Sequence, residues 1–580
     1  MTAQVTNPSV LRITELDDEP ARELVGGKAW SLWRMSALGL RVPPAFVVTT
    51  TSCADYFASG KRLSDELFAE IVEGVSYLED RTGRTFGRGE HPLLVSVRSG
   101  AAVSMPGMMD TILNLGINPD TESALAAETS HADFAADVHR RFVALYGKLV
   151  SGCVEDLEDL PDTAAVTAAI ADETGDTIPT DPMTALRKAV AAVFDSSQSR
   201  RAKAYRAHYG IPDDIGTAVT VQAMVFGNLD ENSGTGVLFT RNPLTGAKDP
   251  YGEYLPRGQG EDVVSGRVTP QPLAWLASNR AYLHDELIAA ADLLDREGAD
   301  AQDIEFTVQH GELYLLQSRP AKRTARAAVR IAAALVGENA IEEATACSRV
   351  TADQVRHLLR PSIDADAVGD TQPLATGVSA SPGYAVGRVV LTADEAQRNP
   401  GSILVRESTS PEDVHGMIAA SAVVTEHGGA TSHAAVVSRA LDTPCVVGCG
   451  AGTAPALAGR IVTVDATGAR IFDGEIGGRA TRVDDDADLA ALARWAAAIA
   501  PLRAVSETAQ GVEVFDADAA IAASGGETVE IPENCRVVTG AYFETDAGVS
   551  AALDAGVEVI VTTTPLPVLL AAVAHRKADR

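Results

Sequence analysis

The stretch Thr425-Glu426-His427-Gly428-Gly429-Ala430-Thr431-Ser432-His433 runs from an apolar strand end, through a glycine loop, to an imidazole that opens an apolar helix. An imidazole placed there faces amide N–H groups with no partner inside the helix and the positive end of the helix dipole, so a phosphate is stabilised beside it. Neutral imidazole is abundant near pH 7 and can act as a covalent nucleophile. The spacing therefore points to His433 as a phosphoryl carrier. A metal site at His427 and His433 is disfavoured, because no Cys, Asp or third His lies near in sequence and glycine loops fix ligands poorly.

Other stretches hold groups that could load such a carrier. Gly26-Gly27-Lys28 presents a lysine at a glycine turn, and Arg98 ends a strand before Ser99-Gly100. Ser104-Met105-Pro106-Gly107-Met108-Met109 is apolar but broken by Pro and Gly, which suits a loop over a ligand better than a core element. Ser233-Gly234-Thr235-Gly236 reads as a turn whose glycines let backbone approach a phosphate. Residues 303–308 alternate strictly, so Asp303 and Glu305 share a strand face, and the return strand places Gln317 and Arg319 on one face. With an odd loop centred on Gly311, Glu305 lies opposite Gln317 and Asp303 opposite Arg319. A one-residue slip would separate them. Two acids, an amide and an arginine suit Mg²⁺ held by oxygens beside a triphosphate.

The elements that position these groups follow in order. A helix over about 28–38 stops at Gly39, and Pro43-Pro44 precedes a strand at 45–49. Residues 120–210 have helical spacing, and 321–370 read as a helical connector. A valine-rich β/α layer begins near Ser381-Pro382-Gly383 and contains the strands 403–405 and 422–425. Near the C-terminus a strand at 536–540, a helix at 547–555 and a strand at 557–562 make one βαβ unit.

The totals exclude several classes. A formal net charge of −31 opposes nucleic acid and anionic membrane surfaces, though a local cationic site can still take a nucleotide. Residues 1–19 show no signal-peptide pattern, and no apolar run reaches membrane-spanning length. Six scattered cysteines fit reduced thiols in a cytoplasmic protein. A chain of 580 residues has room for several domains.

The run Ser96-Val97-Arg98-Ser99-Gly100 with 104–116, then Phe239-Thr240-Arg241-Asn242-Pro243, and Gly428-Gly429-Ala430-Thr431-Ser432-His433-Ala434-Ala435-Val436-Val437, resembles the pyruvate, phosphate dikinases of the PEP-utilising enzymes. The water dikinases share the histidine motif, but their arginine strand is not followed by Ser-Met-Pro-Gly-Met-Met-Asp. The resemblance spans roughly residues 20–480 in the family's order. It implies an α/β and α+β multidomain chain with an ATP-grasp-like nucleotide-binding domain over 1–325, including a helical subdomain at about 115–215. It further implies a helical linker over 326–375, a swivelling β/α phosphohistidine domain over 376–480, and a C-terminal βα remnant over 481–580.

In such enzymes ATP loads the histidine as a pyrophosphoryl adduct. Inorganic phosphate then removes the terminal group as diphosphate, and the remaining phosphoryl group passes to pyruvate, giving phosphoenolpyruvate. Mg²⁺ is the implied cofactor. Lys28 and Arg98 match the family's cationic phosphate contacts, Gly107 the loop over the phosphates, and Thr235 and Gly236 a second phosphate-binding turn. Glu253 matches a nucleotide-site acid. Asp303, Glu305, Gln317 and Arg319 match the metal and phosphate hairpin, with Glu305 and Gln317 toward the metal, and His433 matches the phosphorylated histidine. Full-length members continue into a large barrel that binds phosphoenolpyruvate or pyruvate. This sequence reads as a short form, so the acceptor half would need a separate acceptor-domain protein. Transfer to a different acceptor, or a non-catalytic regulatory role, are the alternatives.

Overall fold

The structure is a computed structural model that describes residues 8–578 except 102–110, 156, 158, 210, 213–214, 265–267, 360–361, 364, 370, 442, 480–481, 509–511 and 525–529. Its N-terminal half is built on two five-stranded antiparallel sheets. The first runs in the order Val10–Leu11, Ala45–Val48, Ala218–Ala223, Val95–Gly100, Thr111–Leu115. The second runs Gln271–Pro272, Tyr251–Pro256, Gly234–Phe239, Gln302–Gln309, Glu312–Pro320.

Strand alternation splits the apolar residues of the first sheet between two cores. Phe46 and Val48 pack with Val95, Val97, Val219 and Val221 under the helices of residues 119–209, whereas Ala45 and Val47 join the helix Arg22–Ala37 and the second sheet. The helical stretch is thus a cover on one sheet face. It ends in two consecutive helices, Pro182–Ser196 and Arg200–Tyr209.

The helix Arg22–Ala37 is broken at Gly26, whose φ is 75°. A Cβ at Gly26 would stand 1.9 Å from the Gly100 carbonyl oxygen. Gly27 N donates to Ala101 O at 2.9 Å. Gly26 is needed because two backbones touch here, and the contact sets Lys28 beside Gly100.

The acid hairpin has the expected partners for a different reason. Asp303 faces Arg319 and Glu305 faces Gln317. The turn is two residues, His310 and Gly311, with φ of 51° and 78°, the geometry of a tight hairpin. That even loop alone would put Gln317 and Arg319 on the wrong face. A bulge at Leu316, between the pairs Glu305–Gln317 and Phe306–Leu315, restores them.

Thr235 and Gly236 require a correction. They lie inside the strand Gly234–Phe239, paired on one side with Leu255 and Tyr254 and on the other with Thr307 and Phe306. No turn exists there. Gly236 is required by packing, since a Cβ would meet Glu253 O at 2.4 Å and the Phe306 ring at 2.5 Å.

Residues 375–473 form an eight-stranded mixed sheet. Tyr384–Val390, Ile403–Arg406, Ala422–Thr425 and Cys445–Val447 run parallel within it. The C-terminal residues make more than one βαβ unit. Arg503–Val505, Val559–Val561, Val537–Thr539 and Phe515–Asp516 form a four-stranded parallel sheet. Its core includes Val329, Ala332, Cys347 and Val355 together with Leu489, Phe543, Ile560 and Leu569. The expected connector therefore contributes to the core of this C-terminal unit. No described helix is long and apolar enough to cross a membrane.

Candidate active site

Parallel strands send their connections out from their carboxyl ends, where ligand sites collect in open sheets. Two neighbouring strands do so here. Ile403–Arg406 leads to Thr409, and Ala422–Thr425 leads through the glycine loop to the eight-residue helix His433–Ala440. Gly428 takes a φ of 104° within that loop. Thr409 Oγ1 lies 3.2 Å from His433 Nδ1. His433 Nε2 is buried and has no partner among the described residues. Burial lowers the pKa of His433, opposed by the carboxylates of Asp413 and Glu412. The ring is thus neutral near pH 7, and in the tautomer whose Nδ1–H donates to Thr409 the lone pair sits on Nε2.

The cationic group is assembled from both sheets and the broken helix. Arg98, from the first sheet, donates from Nη2 to Glu305 Oε2 at 3.2 Å and to Gln317 Oε1 at 3.4 Å. Arg319 Nε donates to Asp303 Oδ2 at 2.9 Å, and its Nη2 lies 3.9 Å from Glu305 Oε1. Lys28 stands among Arg98, Arg319 and Glu305. Burial, then the two guanidinium groups, bring its pKa down to about 7 against the pull of Glu305. Burial also works against the charge on Glu305, but Arg98, Arg319 and Lys28 outweigh it and hold the carboxyl below its usual range. Asp303 is pushed up by burial despite Arg319, with Glu305 adding to the rise.

Lys28, Arg98, Asp303, Glu305, Gln317 and Arg319 are therefore brought together. Gly107 falls at 102–110, outside the described residues. Thr235 is on the face of the acids, but its hydroxyl donates to Phe306 O at 3.0 Å. Glu253 stands two strands from Glu305 on that face, through the pairs Glu253–Val237 and Val237–Glu305. Its carboxylate accepts from the Thr431 hydroxyl and from the N–H groups of Ala430 and Thr431. Burial raises its pKa nonetheless. The glycine loop is thus seated on the second sheet, and a Cβ at Gly429 would meet Glu253 Oε1 at 2.7 Å.

Sequence reasoning gave no role to Thr409, Thr431 or Arg439. Thr409 carried a usable signal, since it follows the predicted strand 403–405 in the same layer as the strand before His433. Thr431 and Arg439 carried none, because Glu253 and Phe239, which they meet, belong to another part of the chain.

A family model described as pyruvate phosphate dikinase, AMP/ATP-binding domain, matches residues 22–76 and 61–291, and one described as PEP-utilising enzyme, mobile domain, matches 398–468. The chain is 44% identical over 457 residues to the pyruvate, phosphate dikinase of Clostridium symbiosum, covering 74% of this chain and 52% of that protein. It is 41% identical over 508 residues to the enzyme of that name from Rhizobium meliloti, covering 78% and 56% respectively. The chloroplastic pyruvate, phosphate dikinase 1 of Zea mays is 45% identical over 455 residues, covering 74% and 48%. The chain spans about half the length of the curated relatives it matches. On these matches, and with the loop, hairpin and histidine in the places described, the chain belongs to the pyruvate, phosphate dikinase family of PEP-utilising enzymes.

Proposed function

We propose that ATP and inorganic phosphate phosphorylate His433, with release of AMP and diphosphate, and that the phosphoryl group then passes to pyruvate to give phosphoenolpyruvate. One observation carries the reading. His433 Nε2 is buried without a partner among the described residues, on a loop seated on the sheet that holds Asp303, Glu305, Gln317 and Arg319. In this reading residues 1–325 form the nucleotide half and 376–480 the moving carrier.

Nε2 attacks the β-phosphorus of ATP, an N–P bond forms, and the P–O bond to AMP breaks. Inorganic phosphate then takes the terminal group as diphosphate. Transfer of this kind asks the protein for position and for positive charge around the phosphate oxygens. Lys28, Arg98 and Arg319 supply that charge, and Gly107 is assigned a part in binding the phosphates. Thr235 and Gly236 serve as the floor of the strand rather than a turn. Glu253 seats the carrier loop.

Mg²⁺ fits the donor set. Glu305 and Gln317 offer one carboxylate and one amide oxygen as direct partners across the hairpin. No group of three His, Cys, Asp or Glu stands ready for a metal among the described residues. A hard cation completed by phosphate oxygens and water suits such a sparse set. When bound, it neutralises phosphate charge.

The reading assigns pyruvate to an acceptor domain outside the nucleotide and carrier parts. It places the chemistry in the cytoplasm, which fits the free state of all six cysteines.

The test is incubation with ATP labelled at the β-phosphate, with and without inorganic phosphate. Acid-labile label is expected on His433 and none on His433→Asn. Absence of label under every condition would sink the proposal. Phosphoenolpyruvate formed from pyruvate by this chain alone would move the acceptor site into residues 481–580.

A further inference from the structure

Arg439 lies in the last turn of the helix that His433 opens and is 2% exposed. Its Nη1 donates to Ala380 O at 3.0 Å and to Ala430 O at 2.8 Å, both on its own sheet and loop. Its Nε and Nη2 have no partner among the described residues. Its guanidinium carbon stands 5.7 Å from the centre of the Phe239 ring, in the other half of the chain.

Phe239 is the direct cross-strand partner of Asp303, so the two side chains are neighbours on one sheet face. Asp303 is 3% exposed. Its Oδ2 accepts from Arg319, and its Oδ1 has no partner among the described residues. A buried cation with two idle donors and a buried carboxylate with one idle oxygen thus both stand beside Phe239 at the seam. Each leaves the other's deficit unmet only while they stand apart, and a charge-assisted bond satisfies both.

We infer that Arg439 is a positioning residue for the transfer. With the carrier loop seated and phosphate bound, Arg439 closes on Asp303 and shares it with Arg319, and Arg319 is released toward the phosphate. Because Arg439 travels with His433, the hairpin is set for transfer only when the histidine is present. The inference rests on the carrier role proposed for His433.

Scaffolding of the Ala380 and Ala430 carbonyls would also make Arg439 matter, so loss of activity alone decides nothing. The experiment is a double-mutant cycle of Arg439→Met and Asp303→Asn, reading the single-turnover rate of His433 labelling from β-labelled ATP beside the nucleotide Kd. Arg439→Met is expected to slow labelling on the order of a hundredfold, with Kd within about twofold because the free nucleotide half lacks the contact. In the Asp303→Asn background the same change is expected to cost little more. Losses that multiply across the two backgrounds overturn the inference while leaving the carrier role standing. No label on the unaltered protein removes the carrier role and this inference together. If the melting curve shows that Arg439→Met does not fold, Arg439→Lys takes its place in the cycle with the same two outcomes.

Discussion

Lys28 has the environment that most shapes how this site responds to pH. It partly reaches solvent, yet burial and the neighbouring Arg98 and Arg319 lower its pKa from 10.5 to about 7. Between those values the unfolded chain holds a proton that the folded chain has released, so this group's contribution to stability rises with pH across the window from about 7 to 10.5 and is a constant penalty below it. A bound triphosphate would favour the ammonium again. Calorimetry at pH 8 in buffers of different ionisation enthalpy is therefore expected to show proton uptake approaching one per ATP, vanishing at pH 6 and in Lys28→Met. Uptake unchanged in Lys28→Met would assign the titration elsewhere. His433 differs, because burial keeps it neutral near pH 7 while Asp413 and Glu412 limit the shift.

At the scale of elements, the hairpin shows how a site depends on counting residues. The two-residue turn and the bulge at Leu316 each move the register by one place, and together they set Asp303 and Glu305 opposite Arg319 and Gln317. Deleting Leu316 removes the bulge but leaves Gln317 opposite Glu305, so labelling of His433 is expected to survive. Deleting Ser318 brings Arg319 opposite Ile304 and off the face, and labelling is expected to be lost in a chain that still melts cooperatively. The reverse pattern would show that the register is set elsewhere. The face was legible in the sequence because side chains alternate strictly along a strand. The loop parity was not, since nothing local in Leu315-Leu316-Gln317 marks a bulge. Ser233-Gly234-Thr235-Gly236 misled for a related reason. Glycines mark close approach of something, and here the approaching groups are Glu253 O and the Phe306 ring rather than a phosphate.

Across the whole molecule, the helices Ala325–Gly337, Glu343–Arg349 and Ala352–Leu358 share one core with the helix Ala487–Ile499 and the C-terminal sheet. The paired strands Ser362–Ile363 and Gly478–Arg479 bring the two ends of residues 362–479 together. Each large apolar side chain uncovered from such a core costs about 1.5–3 kcal/mol. A chain ended at residue 480 is therefore expected to aggregate or to lose the melting transition of that core by size-exclusion chromatography and calorimetry. A monomeric product with an unchanged transition would show that the two segments fold independently. Taken alone, the sequence determined whatever depends on local chemistry and periodicity. That includes His433 at a helix start behind a glycine loop, Lys28 and Arg98 at glycine-marked positions, the shared face of Asp303 and Glu305, and the carrier layer of strands and helices. Tertiary structure decided what depends on segments distant in sequence. It brought Arg98 to Glu305, Thr431 to Glu253, Arg439 over Phe239 beside Asp303, and residues 325–358 onto residues 487–572. The physical reason is that a side chain's type and spacing state what it can bond, whereas its partner is fixed only when sheets, register and burial leave one group within reach.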